Sequence, residues 1–354
     1  MNKPIKILPE RAWRKYLGGK LIEELHGNEN AEDTSFPEEW LMSTVRAINR
    51  GREHIIEGLS KTADGRTLAE IIAEDPQNIL GERHYAKYGA KTGVLVKILD
   101  SAIRLGVQVH PTRAKAKQYF GSDFGKTECW YIIGTRKIEG EDDPCVYIGF
   151  REGITKEKWE KCFYEEDIPT MLSYLNRVPV EVGDTILVRG GVPHAIGAGC
   201  ILVEIQEPTD YTLRTERHNF DGSYSSDEAC HYGAGFEAMF DCFDYDGLSL
   251  EEERKKSGIK PIKTEYDGYS ISQILKYSDT PMFKMELIEV ETSCKIEKND
   301  VFSGMYVLEG EGYIAGDAAG KGTQFFLPAS CDSFEIKNSG SKTMKIMRYY
   351  GPEI

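Results

Sequence analysis

The sequence contains no apolar run approaching the ~20 residues that cross a bilayer. Its opening, MNKPIKILPERAWRKYLGG, is charged and has neither an apolar core nor a small-residue cleavage site, which argues against a secretory signal. The chain is therefore expected to be soluble and cytoplasmic. No CxxC pair is present either. The eight cysteines, at positions 129, 145, 162, 200, 230, 242, 294 and 331, are too scattered for a disulfide framework or a cysteine metal site. Basic residues are in deficit, 44 against 58 acidic ones, for a formal charge of −14. That balance repels nucleic acid and anionic membrane, so neither is expected as a partner. An anionic small molecule has to find a locally basic pocket. The sequence leaves the oligomeric state open.

What the chain does contain, from about residue 97, is a series of short β-branched and aromatic runs: VKILD, GVQVH, CWYIIG, CVYIGF, TILVRG and CILVEIQ. Gly, Pro and Asp bound them, a pattern that predicts a mainly β sandwich or barrel. Upstream, 11–26 and 66–80 carry apolar residues at helical spacing, whereas EHIIEG (53–58) and GVLVKILD (93–100) read as strands. TKEKWEKCFYEEDIPTMLSYLNRV, at about 155–178, interrupts the strands as a helical insertion. DYDGLSLEEERKKSGIKPIKT (244–264) is polar, charge-dense and without steady periodicity, as expected of a linker. It separates a first domain, 1–243, from a smaller β domain, 265–354.

The segment GDTILVRGGVPHAI (183–196) has a turn at Gly183 and Asp184, then a strand, then a bend at Gly191 that aims His194 into the mouth of a small barrel. It is similar to the second cupin motif, with Arg189 in place of the usual proline, and predicts a cupin-type barrel or jelly roll. GTQFFLPASCDS (322–333) repeats the frame with Pro328 in place but Ser333 in the histidine slot. The second domain is thus expected to be a degenerate, metal-free cupin that covers the apolar outer face of the first barrel. Gln108 and His110, at i and i+2 in VQVHP, share one face of a strand, and Glu128 can enter from a neighbour. Singly, each has a plain structural reading. Together with His194 they offer two imidazoles, a carboxylate and an amide oxygen, a set suited to Zn2+ or another divalent first-row metal. His26, His54, His84, His218 and His231 have no comparable setting and are read as surface or structural.

On these residues the chain resembles the type I mannose-6-phosphate isomerases, in their shorter Gram-positive form. VQVHP, GKTECWYII and GGVPHAIGAGCILVEIQEPTDYTLR carry the resemblance, and PEEWLMS (37–43) extends it. It implies Gln108, His110, Glu128 and His194 as ligands of one metal per chain. It also implies Arg214 and Lys126 as catalytic residues, Arg214 a cation at the reacting end and Lys126 also beside the substrate on the phosphate side, with Arg217 as a further phosphate candidate. The implied reaction interconverts mannose 6-phosphate and fructose 6-phosphate through an enediol(ate), with a sugar phosphate as the small-molecule partner. Two departures fall around the substrate. Gly106 stands where the family has a serine, and TERHNFDG follows the arginine where shorter members read YDYDR. They keep open the same chemistry on an unphosphorylated or different sugar; a non-catalytic sugar- or metal-binding cupin is a third reading. The proton shuttle is not identified by sequence.

Overall fold

A computed structural model describes residues 2–49 and 51–354. Its strands form four antiparallel sheets stacked as two sandwiches. In the first, a six-stranded sheet orders Arg11–Ala12, Glu38–Leu41, Leu95–Asp100, Cys200–Gln206, Glu128–Thr135 and Thr185–Val188. It faces a five-stranded sheet of Leu213–Arg214, Gln108–Val109, His194–Ile196, Cys145–Phe150 and Leu175–Pro179. In the second, seven strands built around Met344–Tyr350 face the four of Ser293–Ile296, Phe334–Asn338, Glu311–Ile314 and Asp317–Gly320. The chain is mainly β and cupin-like, as expected. Among the described residues, no helix is long and apolar enough to cross a membrane.

Strand parity explains how the two sandwiches are joined. Successive side chains point to opposite faces. Trp130, Ile132, Leu202 and Leu99 fill the space between the six- and five-stranded sheets. Their neighbours Cys129, Tyr131, Val203, Ile205, Val96 and Ile98 point outward. There they share one core with Leu275, Phe283, Met285, Phe302, Phe326, Met347 and Tyr349 of the C-terminal sandwich. The inward parity that carries Trp130 also carries Glu128, and that of Leu202 and Leu99 carries Glu204 and Lys97. The polar side chains thereby reach the interior of the first sandwich.

Several local expectations are corrected. The insertion is two helices, Lys156–Glu165 and Ile168–Ser173, and its last residues already belong to the strand Leu175–Pro179. Trp159, Cys162 and Phe163 anchor the first helix in an aromatic cluster. Of 11–26 only Lys20–Leu25 is helical. Gly18 lies so close to the Asp100 carbonyl that a Cβ there would sit 1.8 Å from its oxygen, and its backbone bridges to Thr34 instead of joining a helix. Residues 53–58 form turns and bends with a single bridge from Glu57 to Ala47 in place of a strand, ending at Gly58 with φ +87° against the Trp40 ring. The stretch 244–264 contains the helix Leu250–Ser257, closed by a reciprocal capping box between Ser249 and Glu252. Its Glu253 and Ser257 are buried, so this segment packs instead of hanging free. The strand Ile5–Ile7 lies in the seven-stranded sheet, paired with Gln324–Leu327, and not with the rest of 1–243.

Candidate metal and substrate site

Two registers assemble the site. On the five-stranded sheet, Gln108 pairs with His194 on one side and with Arg214 on the other, which sets these three residues in a row across three strands. On the facing sheet Glu128 heads its strand opposite Gln206. His110 follows directly after Val109, where Gly191, at φ +92°, donates its N–H to the His110 carbonyl. The ligand atoms of His110, Glu128 and His194 lie within 4.8 Å of one another, and all three residues are buried. His110 Nε2 is 3.1 Å and His194 Nε2 3.4 Å from the Glu128 carboxylate. The carboxamide of Gln108 reaches 3.2 Å from His194 Nε2.

Each imidazole is fixed by a carbonyl behind it. His110 Nδ1 donates to Tyr211 O at 2.8 Å, and His194 Nδ1 donates to Val192 O at 2.9 Å. Each Nε2 lone pair therefore points into the cluster, the orientation a metal ligand requires. Burial, reinforced by the Lys126 charge, pushes the His110 imidazolium pKa down to about 3, and burial also lowers that of His194. Burial alone would raise the Glu128 pKa, but Lys126 and the two imidazoles hold it well below the carboxylate range. Two neutral imidazoles and an ionised carboxylate at neutral pH form a cation site. A cation occupies it: the Lys126 ammonium lies 2.7 Å from His110 Nε2 and 2.8 Å from Glu128 Oε2. A set of donors that holds one positive charge this closely fits a divalent ion.

Lys126 and Gln108 also line a cavity of about 800 Å³, walled by Trp13, Tyr16, Arg104, Glu204 and Arg214 among others. Arg214 Nη1 is held by Thr212 O at 3.0 Å and Ala229 O at 3.2 Å, and its guanidinium lies over Tyr232. Of the two roles expected of Lys126, catalytic and on the phosphate side, its position favours the first, since its ammonium sits among the ligand atoms. Arg217 does not line the cavity. It is paired with Asp227 at 2.5 Å and wedged against the rings of Phe163, Tyr224 and Phe236, which marks it as a brace for this loop.

Sequence reasoning missed the polar floor of the cavity. Lys97 Nζ is 2.8 Å from Glu204 Oε1, and Arg14 is 3.0 Å from Glu38, which also accepts from Trp40 Nε1 at 2.7 Å. Burial, with Glu128 nearby, raises the Glu204 pKa. Burial alone would lower the Lys97 pKa, but Glu204 and Glu38 hold it up and keep that lysine charged. The signal was available: one glutamate inside CILVEIQ and one lysine inside LVKILD, both at inward parity.

Two family models match the chain: the phosphomannose isomerase type I catalytic domain over residues 15–130 and the mannose-6-phosphate isomerase cupin domain over 273–348. A mannose-6-phosphate isomerase of Streptococcus mutans is 26% identical over 340 residues, covering 95% of this chain and 96% of that one. Mannose-6-phosphate isomerase ManA of Bacillus subtilis is 33% identical over 168 residues, 48% of each chain. The crystal structure of the Bacillus subtilis mannose 6-phosphate isomerase superposes with a TM-score of 0.75 at 21% identity, over 99% of this chain and all of that one, and bears on the fold. With both domain matches falling in order along one chain and the relative from Streptococcus spanning nearly all of it, the chain belongs to the type I phosphomannose isomerases.

Proposed function

We propose that the protein is a metal-dependent aldose–ketose isomerase that interconverts mannose 6-phosphate and fructose 6-phosphate, with Gln108, His110, Glu128 and His194 holding one Zn2+. The observation that carries this reading is the buried His110–Glu128–His194 cluster, its imidazoles tied to carbonyls, next to a cavity that Gln108, Lys126 and Arg214 line. Mixed nitrogen and oxygen donors favour zinc over the harder cations. When bound, the metal supplies a Lewis acid for the carbonyl and hydroxyl at C1 and C2. Arg214, in the row with two ligands, is placed to stabilise the negative charge that develops on the enediolate. Glu204 is the carboxyl suited to carry the proton between C1 and C2, since its raised pKa lets it both take and return one. Lys97 fixes its position. A cytoplasmic setting is in keeping with eight cysteines that are all buried and unpaired.

Lys126 belongs with the reacting atoms in this reading, since its ammonium both touches two ligands and lines the cavity. Lys126→Ala is expected to lower kcat by about 10²-fold or more while KM changes little, the pattern of an interaction made in the transition state. A variant with raised KM and normal kcat would return Lys126 to the phosphate. A coupled assay on zinc-loaded protein tests the function as a whole: turnover of mannose 6-phosphate is expected. Binding of zinc and sugar with no turnover would favour the non-catalytic cupin.

A further inference from the structure

One end of the cavity already contains an anion. Glu216 lies against Gly106, with its Cβ 3.7 Å and Cδ 3.9 Å from where a side chain at 106 would begin. Its carboxylate takes both guanidinium nitrogens of Arg104, at 2.6 and 2.9 Å, in a bidentate pair. The same carboxylate accepts the Val107 N–H at 2.7 Å. An arginine fork beside a backbone N–H is the donor set that would grip a phosphate or carboxylate. Here the chain's own glutamate fills it. Gly106, Val107, Arg104 and Glu216 all line the cavity that Gln108, Lys126 and Arg214 line. Among the other cations of the wall, Arg14 is matched with Glu38 and Lys97 with Glu204, while Arg214 bonds to backbone carbonyls near the metal ligands.

We propose that Glu216 is a specificity-determining residue, an internal anion that holds the Arg104 and Val107 donors against a substrate phosphate and favours a hydroxyl at the end of the sugar remote from the isomerised carbons. The proposal rests on the isomerase reading and refines its substrate class. A phosphate entering here must displace a bidentate carboxylate or lie beside it with like charges opposed, and either reduces its hold. A sugar hydroxyl, by contrast, donates to a carboxylate oxygen without cost in charge. The cavity thereby admits unphosphorylated hexose in competition with the phosphorylated one.

The test is Glu216→Gln, which keeps the shape and an acceptor for Val107 while removing the charge, measured with mannose 6-phosphate and with mannose. KM for mannose 6-phosphate is expected to fall about tenfold, the equivalent of ~1.4 kcal/mol, while KM for mannose rises. Calorimetric binding of mannose 6-phosphate to zinc-loaded protein provides a readout independent of turnover, and it too should tighten about tenfold. Equal shifts for both sugars, or unchanged affinity for the phosphorylated one, would overturn the proposal and leave Glu216 as a brace for Arg104. If wild type turned over neither sugar, the isomerase reading would fall, and the binding comparison would still decide the role of Glu216. Glu216→Ala, read by the same calorimetry, guards against a glutamine that retains the Arg104 contact too well.

Discussion

Glu128→Gln should leave the purified protein with less than about a tenth of the single divalent ion expected per wild-type chain, and with isomerase activity lower by roughly 10³-fold or more. Damage to groups that merely support a metal's ligands costs 10 to 100-fold in affinity, and here a charged donor itself is removed. The variant should also be less stable without any metal. Lys126 is almost fully buried, with its ammonium 2.8 Å from Glu128, and removing one member of a buried pair commonly costs ~3–5 kcal/mol. Glu128→Gln combined with Lys126→Met should therefore regain thermal stability and still bind no zinc. Metal analysis and thermal melts of the two variants check this. A Glu128→Gln protein with full metal content and turnover would reduce Glu128 to a buried partner for Lys126.

Removal of residues from 265 onward should yield protein found almost entirely in the insoluble fraction. The cut would uncover Val96, Ile98, Val203, Ile205, Ile71 and Leu80, which share a core with the C-terminal sandwich. At ~25 cal/mol per Å² each such side chain forfeits about 1.5–3 kcal/mol on exposure, and together they make a large adhesive face. A gentler version is Phe302→Ala, in the middle of that core. It should cost ~3–5 kcal/mol and lower Tm by roughly 10 °C. The divalent-metal content of the soluble fraction should stay near one per chain. A soluble, active truncation would show that the first sandwich supports itself.

The site was more legible than the architecture around it. His110, Glu128 and His194 declared themselves through residue type and motif, and strand parity then brought them together. Which end of the substrate Lys126 serves is not legible, because a lysine two residues before a glutamate can point anywhere until the backbone is known; only the fold shows that it reaches back among the ligands. The setting of Arg217 is hidden for a related reason, as it rests on Phe163 from the distant helix Lys156–Glu165 together with Tyr224 and Phe236. The helix Leu250–Ser257 was hidden because its surface is almost wholly charged, and only the Ser249–Glu252 spacing marks its start. Glu216 carried no signal of its own: a glutamate between threonine and arginine becomes informative once Arg104 and Val107 are seen to hold it.

The pairing of Ile5–Ile7 with Gln324–Leu327, Ile5 opposite Phe326 and Ile7 opposite Gln324, has a consequence for biosynthesis. The segment leaves the ribosome well before its partner strand, which is synthesised some tens of seconds later at ~5–20 residues per second. Through that interval three apolar and basic residues wait without a sheet, and the first sandwich must assemble with its outer face uncovered. Closure of so long a loop makes this strand addition a late event. Extensions fused ahead of Ile5 would consequently lie beside an edge that stays open until the strand Gln324–Leu327 is made, and nascent chains stalled before residue 324 should be the forms most readily held by chaperones.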